Sequence, residues 1–219
     1  MGFDKQKAED SKKCLQSADL KNSQLQEADL SEGILIEACL DESDLSEADL
    51  CGADLSGATL KNAKLHRTVL YRCRAKEADF SNAILTQANL VEANLSATNF
   101  SHANLKESNI EGANLTHACL QDANLSEVNL TGVFLANGNL ARADLTNSEL
   151  IAADLVGCDF SGANLNNTYL NHADLSGANL KSAQNLTSDQ VETAFINKET
   201  QLPDSIRIVW TSKTEYEFE

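Results

Sequence analysis

Large apolar residues return at every fifth position from Leu15 to Leu180, with no insertion or deletion. Leu fills 29 of these 34 positions, and Ala75, Phe80, Phe100, Ile110 and Phe160 fill the others. Two residues before each stands a small side chain: 20 of the 33 positions from Ala18 to Ala178 are Ala, and none is larger than Val. A helix needs its apolar stripe every 3.6 residues and a half-buried strand every 2, so a period of five is neither. It suits a chain that turns one large and one small side chain inward on each short straight segment and then bends. Gly recurs two places after the large residue, as at Gly52, Gly57 and Gly112, and Asn does so at Asn62, Asn82 and Asn137. Both accept the positive φ of a type II turn. Four segments and four turns close a square coil of 20 residues, which pairs its backbone with the coils above and below.

The units Ala48-Asp49-Leu50 and Ala93-Asn94-Leu95 carry an A(D/N)LXX pattern that resembles the pentapeptide-repeat family, abundant in cyanobacteria. The resemblance runs from Leu15 to about Ala183. It implies an all-β fold, a right-handed quadrilateral β-helix of about eight coils. It does not imply one activity. Better-understood relatives protect DNA gyrase by imitating DNA, and others take part in protein–protein regulation.

Outside the repeat, residues 1–13 are polar and charged, and the sequence leaves them either a short helical lid or unstructured. After 183 the phase slips at Gln184-Asn185. Thr187 or Ser188 is a good N-cap, and Val191, Ala194 and Phe195 space out an apolar face, so a helix is expected over about 189–196. Ile206 to Trp210 is a β-prone run, and 211–219 is a charged tail. Together 184–219 are expected to cover the lower end of the column, with a dimer contact through Trp210 as the alternative.

Composition narrows the function. The chain has 33 acidic and 17 basic residues, a net charge of −16, which disfavours nucleic-acid and anionic-membrane partners and favours basic proteins. It contains no apolar run long enough for a transmembrane helix and no apolar stretch near the N-terminus, so a soluble cytoplasmic protein is expected. Met1-Gly2 hints at myristoylation, but Gln6 stands where Ser or Thr is needed.

Catalytic and cofactor chemistry finds no foothold. Cys73 and Cys158 fall at the small inward position, Cys39 and Cys119 lie four coils apart, and no Cys pair has metal-site spacing, so free thiols and no metal are expected. His66, His102, His117 and His172 fall at outward positions on separate repeats. Asp44 and Asp49 are outward carboxylates with no cleft to bury them. The Asn files (Asn89, Asn109, Asn129; Asn104, Asn124) suggest side-chain amide ladders.

Charge is unevenly spread. Residues 16–55 hold 11 acidic groups against Lys21 alone. Glu27 falls on Glu47 and Asp29 on Asp49, and like charges directly opposite are destabilising. Glu27, Asp29, Glu32, Glu37, Glu42 and Glu47 are therefore the candidate partner-binding residues, with simple solubility as the competing explanation. Six basic residues follow from Lys61 to Lys76. The 20-residue offset predicts an exposed charge ladder: Lys61 with Asp41, Lys64 with Asp44, Arg67 with Glu47, Arg74 with Asp54 and Arg72 with Glu92. The reading is a non-enzymatic protein-binding scaffold without cofactor, monomeric or dimeric through its C-terminal end. A DNA-mimicking gyrase-binding protein is the alternative, weakened by the basic block that interrupts the negative surface.

Overall fold

A computed structural model describes residues 4–212 and 215–219. Met1 and Gly2, which bear the myristoylation hint, lie outside the described residues. The repeat folds as a β-helix solenoid with four parallel ladders, one on each side. Residues 20 apart pair on each ladder, as in Asp29–Asp49–Val69–Asn89 on one side and Ile34–Asp54–Arg74–Asn94 on the next. A side contributes a single paired residue per coil. Leu20 N–H donates to Cys39 carbonyl at 2.7 Å, and Cys39 N–H donates back to Ala18 at 2.9 Å.

Each corner is a turn closed by the N–H of the small residue, as from Ser23 to the Leu20 carbonyl at 3.1 Å. Its third residue has positive φ at every corner from Ser17 to Gly177. Gly and Asn were expected there, but Glu, Gln, Arg, His and Ala also take the conformation, as at Glu27 (φ 57°) and Arg67 (φ 56°). The neighbouring coils fix the turn and override residue preference.

The file before each Leu explains itself in the same turn. Asp29 Oδ1 accepts the Ser31 N–H at 3.0 Å and the Ser31 hydroxyl at 2.6 Å. Asn124 takes Ser126 in the same way, at 3.0 and 2.7 Å. This corrects the amide-ladder expectation: Asn89, Asn109 and Asn129 spend their oxygens on the N–H two residues on. Bonds between coils form where an Asn of this file lies against an Asp, as from Asn99 Nδ2 to Asp79 at 3.1 Å, and amide-to-amide bonds occur at Asn167–Asn147 and Asn185–Asn164, at 3.2 and 2.8 Å.

All 34 large inward residues are buried, Ala75 among them. Where Ala75 thins the wall, the Phe80 and Phe100 rings of consecutive coils stack at 5.0 Å and 14°. All six cysteines are free thiols. Among the described residues no helix is long and apolar enough to cross a membrane.

A short helix lies near each end of the repeat. At the N-terminus α1 (Lys5–Asp10) is capped by Asp4, whose side chain accepts the Lys7 N–H, and buries Ala8. A single 3-10 turn, Lys12–Cys14, leads into the first coil. Its Lys12 carbonyl takes the Ile34 N–H at 2.7 Å, and an added Cβ at Gly33 would sit 3.3 Å from that oxygen. At the other end α2 (Ser188–Glu192) opens with a capping box between Thr187 and Gln190. The Gln190 amide also donates to the Leu165 and Thr168 carbonyls at 2.9 and 2.8 Å.

Helix α2 is shorter than the 189–196 expected. Val191 and Ala194 are buried, but Phe195 leaves the helix, joins the ladder beside Asp174 and faces outward. Backbone pairing with the coil above outweighs a one-turn helix in water. In the charged tail a strand forms: β1 (Ile208–Trp210) pairs antiparallel with β2 (Tyr216–Phe218), with Trp210 and Tyr216 edge to face at 5.4 Å.

Candidate functional site

The four-sided coil decides which acidic residues meet. Glu27 and Glu47 share one corner, since their backbones are joined through coils 20 residues apart. Asp29 and Asp49 pair on the adjoining side, and Glu32 stands at the next corner along. Glu37 and Glu42 occupy the third and fourth corners. The six candidates thus form a belt around the upper coils, with Glu27, Asp29, Glu32 and Glu47 brought to one side and Glu37 and Glu42 carried away from it.

Several are already engaged within the chain. Lys12 Nζ lies 2.7 Å from Asp29 Oδ1, and with the Ser31 bonds it lowers the Asp29 carboxyl to about 2. Lys13 reaches both the carbonyl and the carboxylate of Glu32. Lys21 lies 3.2 Å from Glu42, and the Ser17 hydroxyl 3.4 Å from Glu37. Glu27 makes no side-chain hydrogen bond or ion pair among the described residues, and it shares its corner with Glu47. The pairing with Lys12 and Lys13 was invisible in the repeat pattern, because α1 and the following turn fold back over the first coil.

Below the acidic belt runs the charge ladder. Lys64 approaches Asp44 at 3.8 Å, Arg67 approaches Glu47 at 4.0 Å, Arg74 meets Asp54 at 3.1 Å and Arg72 meets Glu92 at 2.6 Å. Lys61 departs from the expected pairing: its backbone N–H goes to Asp41, but its ammonium turns to Asp79 at 3.2 Å. One corner carries the ladder further, from Arg67 to Gln87 at 2.9 Å and from Gln87 to Glu107 at 2.7 Å. On another, Arg142 grips both oxygens of Asp122 at 2.8 and 2.7 Å and lowers that carboxyl to about 2. These side chains lie along the column axis, each close to its partner one rung away, and they are mostly exposed. Each pair contributes little to stability, because it is exposed to solvent and screened by salt.

Among the described residues no three His, Cys, Asp or Glu side chains gather as a metal site. Burial pushes the Cys73 and Cys158 thiols up to about 12, which removes them as nucleophiles. A shallow groove of about 410 Å³ lies between the last coils and α2, lined by Asn147, Asn166, Tyr169 and Gln190 among others. Amide side chains make up half of its lining and Asp189 is the one carboxylate there, so it carries no acid–base pair.

The sequence profile described as pentapeptide repeats matches this chain in eight copies between residues 14 and 187. The chain belongs to the pentapeptide-repeat family. Among solved structures, it is similar to HetL, a pentapeptide repeat protein involved in heterocyst differentiation regulation from the cyanobacterium Nostoc sp. strain PCC 7120. That match has 30% identity, covers 83% of this chain and 90% of HetL, and has a TM-score of 0.41. A trypsin-treated form of QnrB1, a plasmid-mediated fluoroquinolone resistance protein, shares the fold at 19% identity and a TM-score of 0.60, covering 78% of this chain and 85% of QnrB1. A pentapeptide repeat protein from the Arabidopsis thaliana thylakoid lumen matches 51% of this chain and 70% of its own, at 26% identity and a TM-score of 0.32. Comparison with curated proteins gives no match.

Proposed function

We propose that this pentapeptide-repeat protein is a non-enzymatic protein-binding scaffold whose acidic N-terminal coils dock a basic partner. One observation carries the reading. Five successive corners, at residues 27, 32, 37, 42 and 47, place Glu at positive φ. That conformation costs an ordinary residue about 1–2 kcal/mol, whereas Gly takes it freely. Glu27 and Glu47 moreover stand one rung apart with like charge, which is unfavourable. Stability alone would not select Glu there, and a basic partner would give the charge a use. The side bearing Glu27, Glu47, Asp29, Asp49 and Glu32 is the centre of this surface, and Glu37 and Glu42 extend it around the column. The column is proposed to be right-handed, of about eight coils over residues 14–183, with 1–13 and 184–219 as its end pieces.

The alternative is a DNA-mimicking gyrase-binding protein, supported by the fold shared with QnrB1 and by the net charge of −16. The ladder of Lys64, Arg67, Arg72 and Arg74 counts against it, since a mimic of duplex DNA should carry its charge along the length that meets the enzyme. A supercoiling assay with purified protein and DNA gyrase, with and without a fluoroquinolone, separates the two. Scaffold function predicts no effect on gyrase and a native-source partner lost on Glu27→Lys with Glu47→Lys. Inhibition or drug protection at low micromolar protein would restore mimicry.

A further inference from the structure

One ladder carries a run unlike the rest of the surface: Phe134, Asp154, Asp174 and Phe195 occupy consecutive rungs. The two phenyl rings are 55% and 60% exposed and bracket two stacked carboxylates. Ile151 and the exposed Val156, at the corners either side of Asp154, widen the apolar border. A Cβ added at Gly132 would meet nothing within 4 Å, so the approach past that corner to Phe134 is open. At the lower end the His172 ring lies 6.3 Å from Phe195.

The carboxylates are left uncompensated. Asp154 and Asp174 each accept the N–H of their own turn, from Val156 at 3.2 Å and Ser176 at 2.9 Å. Among the described residues neither forms an ion pair, nor does the nearby Glu149, whereas Asp54 higher on the same ladder has Arg74 beside it at 3.1 Å. Arg142 is clamped to Asp122 on a corner that does not border this side, and Lys198 lies over the Trp210 ring. Exposed aromatic rings in water and like charges one rung apart are both unfavourable. A single occupant would relieve both.

We propose that this ladder is a docking track for an extended segment of a partner protein, in which two apolar side chains flank a Lys or Arg at alternate positions. The spacing fits. Phe134 and Phe195 are three rungs apart, about 14 Å at the usual strand separation. An extended chain advances about 3.3 Å per residue, so side chains four residues apart span about 13 Å and share a face with the one midway between them. The outer pair then meets the phenyl rings, and the central cation lies over Asp154 and Asp174. This surface is separate from the acidic N-terminal belt and does not depend on it.

The probe is a fluorescein-labelled peptide, Gly-Leu-Ser-Arg-Ser-Leu-Gly, titrated with the full chain by fluorescence anisotropy. Saturable binding is expected, weakened at least about tenfold by Phe134→Ala with Phe195→Ala and again by Asp154→Asn with Asp174→Asn. Peptides with Glu in place of Arg, or Ser in place of both Leu, should bind at least about tenfold more weakly. Glu27→Lys with Glu47→Lys should leave binding unchanged, which distinguishes this track from the N-terminal surface. Peptide-induced amide shifts in the parent protein, expected around residues 132–156 and 172–195, test the site without any substitution. No saturable binding up to about 1 mM, equal binding by the Phe variant, or shifts confined to other sides would overturn the proposal. Binding of anionic vesicles in place of the peptide would overturn it too.

Discussion

The Glu9 carboxylate accepts the backbone N–H of Asp29 at 2.9 Å, where in every lower coil a backbone carbonyl of the coil above takes that bond. The first coil of a solenoid has an open edge of unpaired N–H groups, and such an edge frays or recruits another chain. Glu9 and the Lys12 carbonyl close two of its sides. Glu9→Ala should speed amide exchange at Asp29 while leaving Asn109 protected, and lower stability by about 1 kcal/mol. Equal exchange at both positions in parent and variant would show that the edge needs no carboxylate.

Asp29 should also make the N-terminal coils acid-sensitive. Its carboxyl is lowered to about 2 from an ordinary 3.8, chiefly by the Lys12 ammonium and then by Ser31. A group depressed on folding contributes stability that is complete above about pH 4 and is lost as pH falls through about 2. The loss is small, because the side chain is exposed and screened. An NMR titration of the Asp29 carboxyl should show a midpoint near 2, moved up in Lys12→Met. A midpoint near 3.8 in the parent would mean that the Lys12 contact does not persist in solution.

Ser108 is the inward hydroxyl without a partner among the described residues. Its counterparts Ser43 and Ser148 donate to the carbonyl three residues back at 2.6 and 2.7 Å, and Thr98 does the same at 2.6 Å. An unpartnered buried hydroxyl costs about 1–3 kcal/mol. Ser108→Ala should therefore raise the denaturation midpoint, and Ser148→Ala should not. Destabilisation of the Ser108 variant would reveal a partner for that hydroxyl.

The thiols should split into two classes. Cys14, Cys39, Cys51 and Cys119 are exposed or half-buried, while Cys73 and Cys158 are buried with their thiols pushed up to about 12. A thiol-reactive dye should label four cysteines in the folded chain and all six after denaturation. Fast labelling of Cys73 or Cys158 would mean that the column opens locally.

Replacing the corner glutamates tests what they are for. Glu27→Gly removes a side chain held at φ 57° and one of two like charges, so it should stabilise the chain by about 0.5–1 kcal/mol. Chemical denaturation measures this, and a loss of stability would imply an undetected stabilising role for Glu27. If the stabilised variant no longer binds the basic partner, the corner is kept for recognition at the expense of stability.

The five-residue register alone determined the column: Leu in, Ala beside it, and a turn after each pair. Only that arrangement buries an apolar residue every fifth place while pairing each backbone with another coil. The 20-residue offset likewise places Arg74 beside Asp54 and Arg72 beside Glu92, because side chains one rung apart on a ladder are neighbours. The ends of the column were a tertiary matter. The repeat says nothing about where Glu9, Lys12 and Lys13 go: the unpaired N–H edge draws the Glu9 carboxylate onto the Asp29 N–H, and the Asp29 and Glu32 carboxylates draw the two ammonium groups. Phe195 reads as part of a helical face, yet the carbonyl and N–H groups of Ala173 and Leu175 claim its backbone for the ladder and turn its ring to solvent. The stacking of Glu27 on Glu47 followed from the same offset, but that Lys12, Lys13 and Lys21 engage Asp29, Glu32 and Glu42 and leave Glu27 alone did not, because two of those lysines lie outside the repeat.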